Sequence, residues 1–259
     1  MIQSVGRAAR ILKALGGAPG HLGVTELAGR LGLAKATVYG LLRTLEAEQF
    51  VEQDLETGKY RLGPALLQLG NAFLDNHELR ARSLLWAESL AGRSGEAVHV
   101  GVLYGPNVLI VHHVFRPDNS VQILEVGASI PWHACALGKA IVAYLEPDAQ
   151  AALLGAPLPR LTGATLTERG ALRAELARVA RDGVALEAQE AIVGEAGVAA
   201  ALFANRGAVV GAIGVAGPVE HLLAAGEPAV AAVAAVKEAA RGLSHELGAG
   251  RLAVPGAGA

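Results

Sequence analysis

Histidine and cysteine side chains that could bind a metal or attack a substrate lie in the middle of the chain. They are His99, His112, His113, His133 and Cys135, the residue types of zinc sites and of cysteine–histidine nucleophile pairs. Adjacent histidines on a strand point to opposite faces, so at most one of His112 and His113 can join such a site. A lone cysteine is most often a small buried hydrophobe. We therefore expect neither catalysis nor a metal or other cofactor, and keep a small-molecule hydrolase or metalloenzyme using the C-terminal domain as the alternative function.

Basic side chains near the N-terminus indicate a different chemistry, the binding of a polyanion. The chain of 259 residues has 22 Lys and Arg against 24 Asp and Glu. Within residues 1–45, however, six residues are basic and only Glu26 is acidic, whereas residues 64–259 hold 14 basic and 18 acidic residues. Since a polyanion is attracted to the positive region, we expect it to bind at the N-terminus.

The elements that would position these basic residues are three helices and a hairpin. Apolar residues recur every three or four positions and predict helices near residues 5–15, 24–31 and 34–48. Extended runs at residues 50–53 and 59–62 flank a turn and predict a hairpin. This order is typical of a winged helix-turn-helix domain, here over residues 1–63, which places its third helix in the major groove of double-stranded DNA.

The third predicted helix would present one face to DNA, because Val38, Leu41, Leu42 and Leu45 fall together on the opposite, buried face. The predicted DNA-contacting residues are Arg7 on the first helix, Lys35, Ala36, Thr37, Tyr39, Gly40, Arg43 and Thr44 on the third, and Thr57, Gly58, Lys59 and Arg61 on the hairpin. Their hydroxyl, ammonium and guanidinium groups suit phosphates and base edges. Two other interpretations stay open: these are ordinary solvated charges, or the N-terminal domain is only the dimerisation arm of a ligand-binding module.

The remaining chain predicts a linker helix followed by a larger domain. Pro64 suits a first helical turn and begins a linker helix over residues 64–77. Strand-like and helical segments over residues 78–248 predict an α+β domain, and the Gly- and Ala-rich residues 249–259 predict a disordered tail. No apolar run approaches the ~20 residues of a membrane span, and the first residues lack a signal peptide pattern, so we expect a cytoplasmic protein without membrane contact.

Two groups of segments carry a resemblance. The first group is QSVGRAARILKAL, LGVTELAGRLGLAKATVYGLLRTLE and TGKYRLGPALLQLG, and the second is GEAVHVGVL, IPWHACALGKAIVAYL and VVGAIGVAGPVEHL. They resemble the two halves of the IclR family of bacterial transcriptional regulators. The resemblance implies a C-terminal GAF-like α/β effector-binding domain, a homodimer or homotetramer on operator DNA, and repression controlled by a small-molecule effector.

A narrower resemblance concerns the effector. The segments ELRARSLLWAESLAGRSGEAVHVGVL and VLIVHHVFRPDNS are most similar to the branch of the family that regulates glycerol operons. This branch implies glycerol 3-phosphate or glycerol as the effector. Amide groups at a helix start bind anions whatever their side chains, which favours a small phosphate or carboxylate.

The family's effector pocket carries over to seven positions of this chain. They are Cys135, Ala136 and Leu137 at a helix start, Glu187, and Gly197, Gly214 and Ala216 on the last two strands. The family more often has aspartate at position 187, cysteine or serine at 197, and serine or threonine at 214 and 216, so this chain departs in its side-chain donors. Gly40 is a further departure, because the family commonly has an arginine there that would touch DNA.

Overall fold

The computed structural model describes residues 2–116, 125–224 and 226–250, and it divides after Asn76 into two compact units. The first unit contains α1 (Gln3–Gly16), α2 (Val24–Leu31), α3 (Lys35–Ala47), β1 (Val51–Gln53), β2 (Tyr60–Leu62) and α4 (Pro64–Asp75). This is the winged helix-turn-helix predicted from the sequence.

The core of the first unit forms where the apolar stripes of the helices meet the hairpin. Ile11 of α1, Leu27 of α2, Val38 and Leu42 of α3 and Tyr60 of β2 are all fully buried. The turn between α2 and α3 is tight because Gly32 takes a left-handed conformation with φ of 64°, which costs glycine little. Burial of one face of α3 leaves its other face exposed, and this determines which residues can meet DNA.

The hairpin of the first unit forms the wing. Its strands pair antiparallel, with Glu52 opposite Arg61. Asp54 Oδ1 accepts hydrogen bonds from the backbone N–H of Glu56 at 3.0 Å and of Thr57 at 2.8 Å, and this local bonding shapes the loop. Gly58 completes the turn at φ of 68°. The loop therefore holds its shape through its own side chains.

The second unit is a sheet with helices. Its elements are α5 (Glu78–Ser94), β3 (Ala97–Tyr104), β4 (Asn107–Val114), β5 (Ser129–Pro131), α6 (Ala136–Val142), α7 (Pro147–Gly155), α8 (Arg169–Asp182), β6 (Ala185–Ala188), β7 (Glu195–Phe203), β8 (Val209–Pro218), α9 (Val219–Leu222), β9 (Leu223–Ala224), β10 (Glu227–Pro228) and α10 (Val230–Glu246). Among the described residues, six strands form one antiparallel sheet in the order β5-β4-β3-β8-β7-β6. The predicted α+β class is confirmed.

The two faces of this sheet carry different helices. A Cβ at Gly197 of β7 would contact Ala136 of α6, whereas a Cβ at Gly211 of β8 would meet Leu79 of α5. Gly197 is paired with Ala216 of β8, so the two residues face the same side of the sheet. Ala216 and Gly211 are five positions apart on β8 and face opposite sides, because successive strand residues alternate. Helix α6 therefore covers one face, and α5 with α10 covers the other.

Several boundaries differ from the sequence prediction. The Ala- and Val-rich sequence predicts a last helix over residues 227–247. In the structure it begins at Val230, because residues 223–224 and 227–228 form the short pair β9–β10. Helix α7, opened by Pro147, and strand β6 were not predicted. The extended run SVQILEV predicts a strand at residues 120–126, which falls largely outside the described residues, as does the tail expected at 249–259. In the described ranges, no helix is long and apolar enough to cross a membrane.

Candidate functional site

The exposed face of α3 carries the residues predicted to read DNA. Lys35, Ala36, Tyr39, Gly40, Arg43 and Thr44 are exposed and Thr37 is partly exposed. Val38, Leu42 and Leu45 are buried on the other side, with Leu41 partly buried beside them. The face is thus a mixture of hydroxyl, cationic and small side chains, which suits contacts to phosphates and base edges.

Gly40 leaves a gap in the middle of this face. A Cβ added at Gly40 would meet no other described atom within 4 Å, so packing within the protein does not require a glycine here. The Thr44 hydroxyl donates to the Gly40 carbonyl at 3.2 Å. The missing side chain therefore lowers helix propensity, by roughly 1 kcal/mol relative to alanine, and leaves the backbone open to an approaching surface.

Three basic residues of the predicted DNA surface have carboxylate neighbours on the same unit. Arg61 donates to Glu52 from Nη2 at 2.8 Å and from Nε at 3.0 Å, Lys59 lies 3.8 Å from Glu26, and Arg43 lies 3.6 Å from Glu46. These pairs are at least partly exposed, so water and salt screen them and each is weak. A phosphate must compete with these carboxylates for the same cations.

The other predicted DNA contacts lie around the wing and the first helix. Thr57, Gly58 and Lys59 are exposed at the tip of the wing, and Arg7 is partly exposed on α1. The sequence analysis did not predict that Glu26, Glu46 and Glu52 would lie beside these cations. Glu26 and Glu52 are distant in the chain from the cations they contact, and Glu46 occupies an ordinary helix position.

A cavity in the second unit collects the residues carried over by the family resemblance. It has a volume of about 80 Å³ for the centres of water-sized molecules, and it opens to solvent. The lining includes all seven predicted residues: Cys135, Ala136, Leu137, Glu187, Gly197, Gly214 and Ala216. It also includes Arg116, the second choice for an effector-binding side chain on the sequence alone. The prediction missed Ala97, His99, Ile130, Ala191, Ile192, Glu195, Ala196, Ala199 and Val215. The alternation of β3, which puts His99 on the same side as Ala97, was a signal that could have found one of them.

The start of α6 forms one wall of the cavity. Gly138 is required there, because a Cβ would lie only 2.1 Å from the Trp132 carbonyl oxygen. This close approach sets Cys135, Ala136 and Leu137 against the sheet. Helix α6 has only seven residues and a correspondingly small dipole, so anion binding by its amides stays a prediction.

Glu187 is the acidic group of the cavity. Its Oε1 accepts hydrogen bonds from the backbone N–H of Glu190 at 2.6 Å and of Ala191 at 3.2 Å. Its Oε2 lies 3.5 Å from the position that a Cβ of Gly197 would occupy, at the cavity wall. Burial raises the pKa of Glu187 to about 7, although the two N–H donors lower it. Near neutral pH this carboxyl group can both accept and donate hydrogen bonds to a ligand.

Gly197, which lies beside Glu187, and Gly214 on the next strand differ in the space around them. A Cβ at Gly197 would make ordinary contacts of 3.4 to 3.6 Å. A Cβ at Gly214 would lie 2.6 Å from the Val198 carbonyl oxygen and 2.7 Å from the Ala199 Cβ. Position 214 has glycine in place of the family's serine or threonine because the neighbouring backbone leaves no room for a Cβ there. At position 197 a side chain would fit, so the glycine there widens the cavity.

Charged and aromatic groups lie at the other end of the cavity. His99 stacks on His113 with ring centroids 4.6 Å apart. The Arg116 guanidinium lies 3.4 Å from Glu96, and both side chains are buried. Glu96 also contacts His221 at 2.8 Å. This end of the cavity contains a paired positive charge, whereas the Glu187 end is acidic.

The metal and nucleophile interpretations find no matching arrangement in the residues described. No group of three or more His, Cys, Asp or Glu is placed there to hold a metal ion. His133 Nε2 lies 3.0 Å from the Pro159 carbonyl oxygen. Burial raises the pKa of the Cys135 thiol to about 12, which keeps it protonated and poorly nucleophilic.

Comparison with known proteins assigns both units. The IclR helix-turn-helix domain matches residues 4–55, and the C-terminal domain described as bacterial transcriptional regulator IclR matches residues 71–245. The chain belongs to the IclR family. Glycerol operon regulatory proteins of Streptomyces griseus and Streptomyces coelicolor are 50% and 48% identical to this IclR regulator over 250 residues, covering 96% of it and 98% of each relative. An IclR regulator structure from Alicyclobacillus acidocaldarius, 29% identical, has a TM-score of 0.81 and covers 96% of this chain and 100% of that chain.

The family assignment decides between the classes of function left open by the sequence. This IclR regulator is a transcriptional regulator that binds DNA through its helix-turn-helix domain and an effector through its C-terminal domain. The matched families and relatives are regulators and not enzymes, so the hydrolase and metalloenzyme alternative falls away. The N-terminal unit is a DNA-binding domain and not merely a dimerisation arm.

Proposed function

We propose that this IclR regulator represses a glycerol operon and leaves its operator when glycerol 3-phosphate or glycerol binds. The identity of 50% with the glycerol operon regulatory protein of Streptomyces griseus supports the choice of operon. The observation that carries the effector half is the cavity, because seven residues widely spaced in the sequence line the same space.

The cavity chemistry suits a small polyol or its phosphate. Gly197, Gly214 and Ala216 leave room along the sheet, and Glu187 offers an oxygen for ligand hydroxyl groups. Arg116 brings a positive charge to the lining, which complements a phosphate. A polyol phosphate needs hydrogen-bonding groups for its hydroxyls and a cationic group for its anionic end, and both occur in the lining.

The DNA half of the proposal uses α3 and the wing. Lys35, Thr37, Tyr39, Arg43 and Thr44 would contact phosphates and bases in the major groove. Thr57, Gly58, Lys59 and Arg61 would lie along the phosphate backbone, with Arg7 adding a contact from α1. Ala36 and Gly40, being small, would let the helix approach the groove closely.

We assign a homodimer or homotetramer to this regulator. A single winged domain covers a short stretch of DNA, and dimers gain affinity by binding two half-sites together. Leu67 and Leu69 of α4 are exposed by 68% and 57%, which leaves apolar surface for a second copy to cover.

The test is operator binding by the full-length protein, measured by fluorescence anisotropy on the DNA upstream of its own gene. Affinity should exceed that for random DNA and fall steeply between 50 and 200 mM salt, as counterions are released, typically by about 10³-fold or more for six phosphate contacts. Glycerol 3-phosphate or glycerol should release the protein. Equal affinity for random DNA contradicts the DNA half, and operator release by neither compound contradicts the effector half.

Two variants separate the halves. Arg43→Ala should weaken operator binding and leave the thermal shift with the effector unchanged, because Arg43 lies on α3. Glu187→Ala should keep operator affinity and lose the response to the effector. A normal effector response from Glu187→Ala would show that the assigned cavity is not the effector site.

A further inference from the structure

Lys139 is a buried cation that belongs to α6 but is absent from the described lining of the cavity. Its ammonium nitrogen lies 2.5 Å from Glu190 Oε1 and donates to the Leu186 carbonyl at 3.1 Å. Leu186 and Glu190 lie on either side of Glu187 in the chain. Lys139 thus binds the backbone carbonyl of the residue before Glu187 and the side chain of Glu190, three residues after Glu187.

The segment that Lys139 holds is also the segment that holds Glu187. The N–H groups of Glu190 and Ala191 donate to Glu187 Oε1, which leaves Oε2 near the cavity wall. Any shift of the Glu190 backbone therefore moves the two donors that orient this carboxyl group. Lys139 therefore affects the orientation of the Glu187 carboxyl group indirectly, through its contact with Glu190.

Two threonines of another segment hold the same loop. The Thr162 hydroxyl donates to the Gln189 carbonyl at 2.6 Å, and the Thr165 hydroxyl donates to the Glu190 carbonyl at 2.7 Å. These bonds anchor the backbone carbonyls, whereas the ion pair anchors the Glu190 side chain. Two separate parts of the chain, α6 and the segment with the two threonines, therefore hold the loop without any effector.

A buried ion pair is an inefficient way to stabilise a fold, because removing two charges from water costs about as much as their attraction returns. Its contribution here lies in geometry. We propose that Lys139 and Glu190 form a positioning pair that keeps the loop amides on Glu187 and so fixes the carboxyl oxygen that meets the effector. This inference rests on the proposed function only in taking Glu187 as the effector-binding carboxyl group.

The test uses the full-length double variant Lys139→Met with Glu190→Gln, which removes both charges and leaves neither unpaired. Hydrogen exchange should show that the Glu190 and Ala191 amides lose protection while global stability is retained. Carbon NMR of the Glu187 carboxyl group, assigned with Glu187→Gln, should show a titration midpoint raised by about one pH unit, because the lost N–H donors lower the pKa in the wild type.

The titration must be interpreted with every charged group around Glu187. Lys139 and the Cys135 thiol approach from α6, and Glu190 from the loop. His99, Arg116 and Glu195 line the rest of the cavity. The double variant removes one positive and one negative charge, so their direct effects on Glu187 oppose each other and the loss of the amide donors dominates the shift.

Matched variants complete the test. Arg93→Met with Glu238→Gln removes a 2.9 Å ion pair between α5 and α10 and should leave both readouts at wild-type values. Lys139→Arg keeps the charge pair and should also preserve them. Should the double variant not fold, Glu190→Gln alone retains an amide acceptor for Lys139, and the Glu190 and Ala191 amides should lose protection by less. Amide protection alone is measured on this variant, because loss of the Glu190 charge by itself lowers the pKa of Glu187 and opposes the shift expected from the lost N–H donors.

Unchanged amide protection and an unchanged Glu187 midpoint in the folded double variant overturn the positioning role. Neither readout requires a ligand. A wild-type protein that ignores glycerol 3-phosphate and glycerol would contradict the proposed effector, while the exchange and titration data would still decide the role of the pair.

Discussion

At the scale of single residues, the environment of Glu187 combines two opposing effects. Burial disfavours its charge, whereas two backbone N–H groups favour it, and burial dominates to give a pKa of about 7. A carboxyl group held in this way changes its hydrogen-bonding role near neutral pH. The pH of the cell therefore affects both the stability of the domain and the ligand that the cavity accepts.

Glu187→Gln should flatten the pH dependence of stability. Folding raises the pKa of this carboxyl group from 4.5 to about 7, so the folded state favours the protonated form. Its contribution to the free energy of unfolding is fully present below pH 4.5 and is lost as the pH rises through 7. The size of the effect is on the order of 3 kcal/mol. Glutamine keeps an oxygen for the two N–H donors and cannot ionise. Thermal denaturation at pH 6 and pH 8 should show a smaller fall in Tm for Glu187→Gln than for wild type, and parallel curves would contradict the assignment.

Two glycine substitutions should separate effector binding from folding. Gly197→Ala fits at ordinary contact distances and narrows the cavity beside Glu187, so Tm should be retained while affinity for glycerol 3-phosphate falls. Gly214→Ala forces a Cβ against the backbone of β7 and should destabilise the domain by about 1 to 3 kcal/mol. Thermal denaturation with and without ligand measures both effects. Equal loss of stability in the two variants would contradict this distinction.

At the scale of elements, α3 and the wing each carry a residue that lowers helix stability or positive charge on the surface proposed to contact DNA. Gly40 weakens α3 without any packing need, and Glu52 partly neutralises Arg61. Both features reduce what the isolated domain could achieve in helix stability or phosphate affinity.

Gly40→Ala should raise the stability of the DNA-binding domain while weakening operator binding. Alanine gains up to about 1 kcal/mol in helix propensity and meets no other described atom within 4 Å. The added methyl group would stand between the helix and the groove. Gly29→Ala, at an open position of α2, provides the control, since it should stabilise the domain without changing operator affinity. Unchanged operator affinity of Gly40→Ala would remove Gly40 from the DNA interface.

Glu52→Gln should strengthen binding to DNA by freeing Arg61 for a phosphate. The gain should be about two- to fivefold in affinity, the range set by exposed ion pairs, and it should occur on random DNA as well as on the operator. Glu56→Gln removes the same charge from the tip of the same wing, where Glu56 is exposed. If both variants gain equally, net charge and not the Arg61 pair explains the effect.

The elements could be predicted from the sequence wherever one face is buried and one is exposed. Helix α3 and the wing followed from apolar spacing and turn residues, and the fold class followed with them. Helix α7 was missed because its apolar residues do not form a clear stripe, and β9–β10 because two-residue strands have no period. Cavity-lining residues beyond the seven carried-over ones, such as Ile130, depend on sheet pairing between strands far apart in the chain, which spacing along the chain does not encode.

At the scale of the whole molecule, a DNA-binding unit whose first 45 residues carry six basic residues and one acidic residue is followed by an effector-binding unit with a buried carboxyl group. The proposed dimer makes the exposed face of α4 part of the assembly. Leu69→Glu should shift the protein toward monomer and reduce operator affinity, since two half-sites would no longer be bound together. Light scattering measures the mass, with Gln68→Glu as a control that adds the same charge to the same helix. An unchanged mass for Leu69→Glu would move the interface elsewhere.

The chain's only cysteine is buried in the cavity wall, and burial holds the pKa of its thiol near 12. Maleimide and iodoacetamide reagents react with thiolates, and at neutral pH Cys135 supplies almost none. A second cysteine placed on the surface would therefore react with a fluorophore or spin label while Cys135 stays unlabelled, so Cys135 would not have to be replaced first. Val193, exposed by 74% on the loop beside Ile192 of the cavity lining, is a natural position for such a reporter of effector arrival.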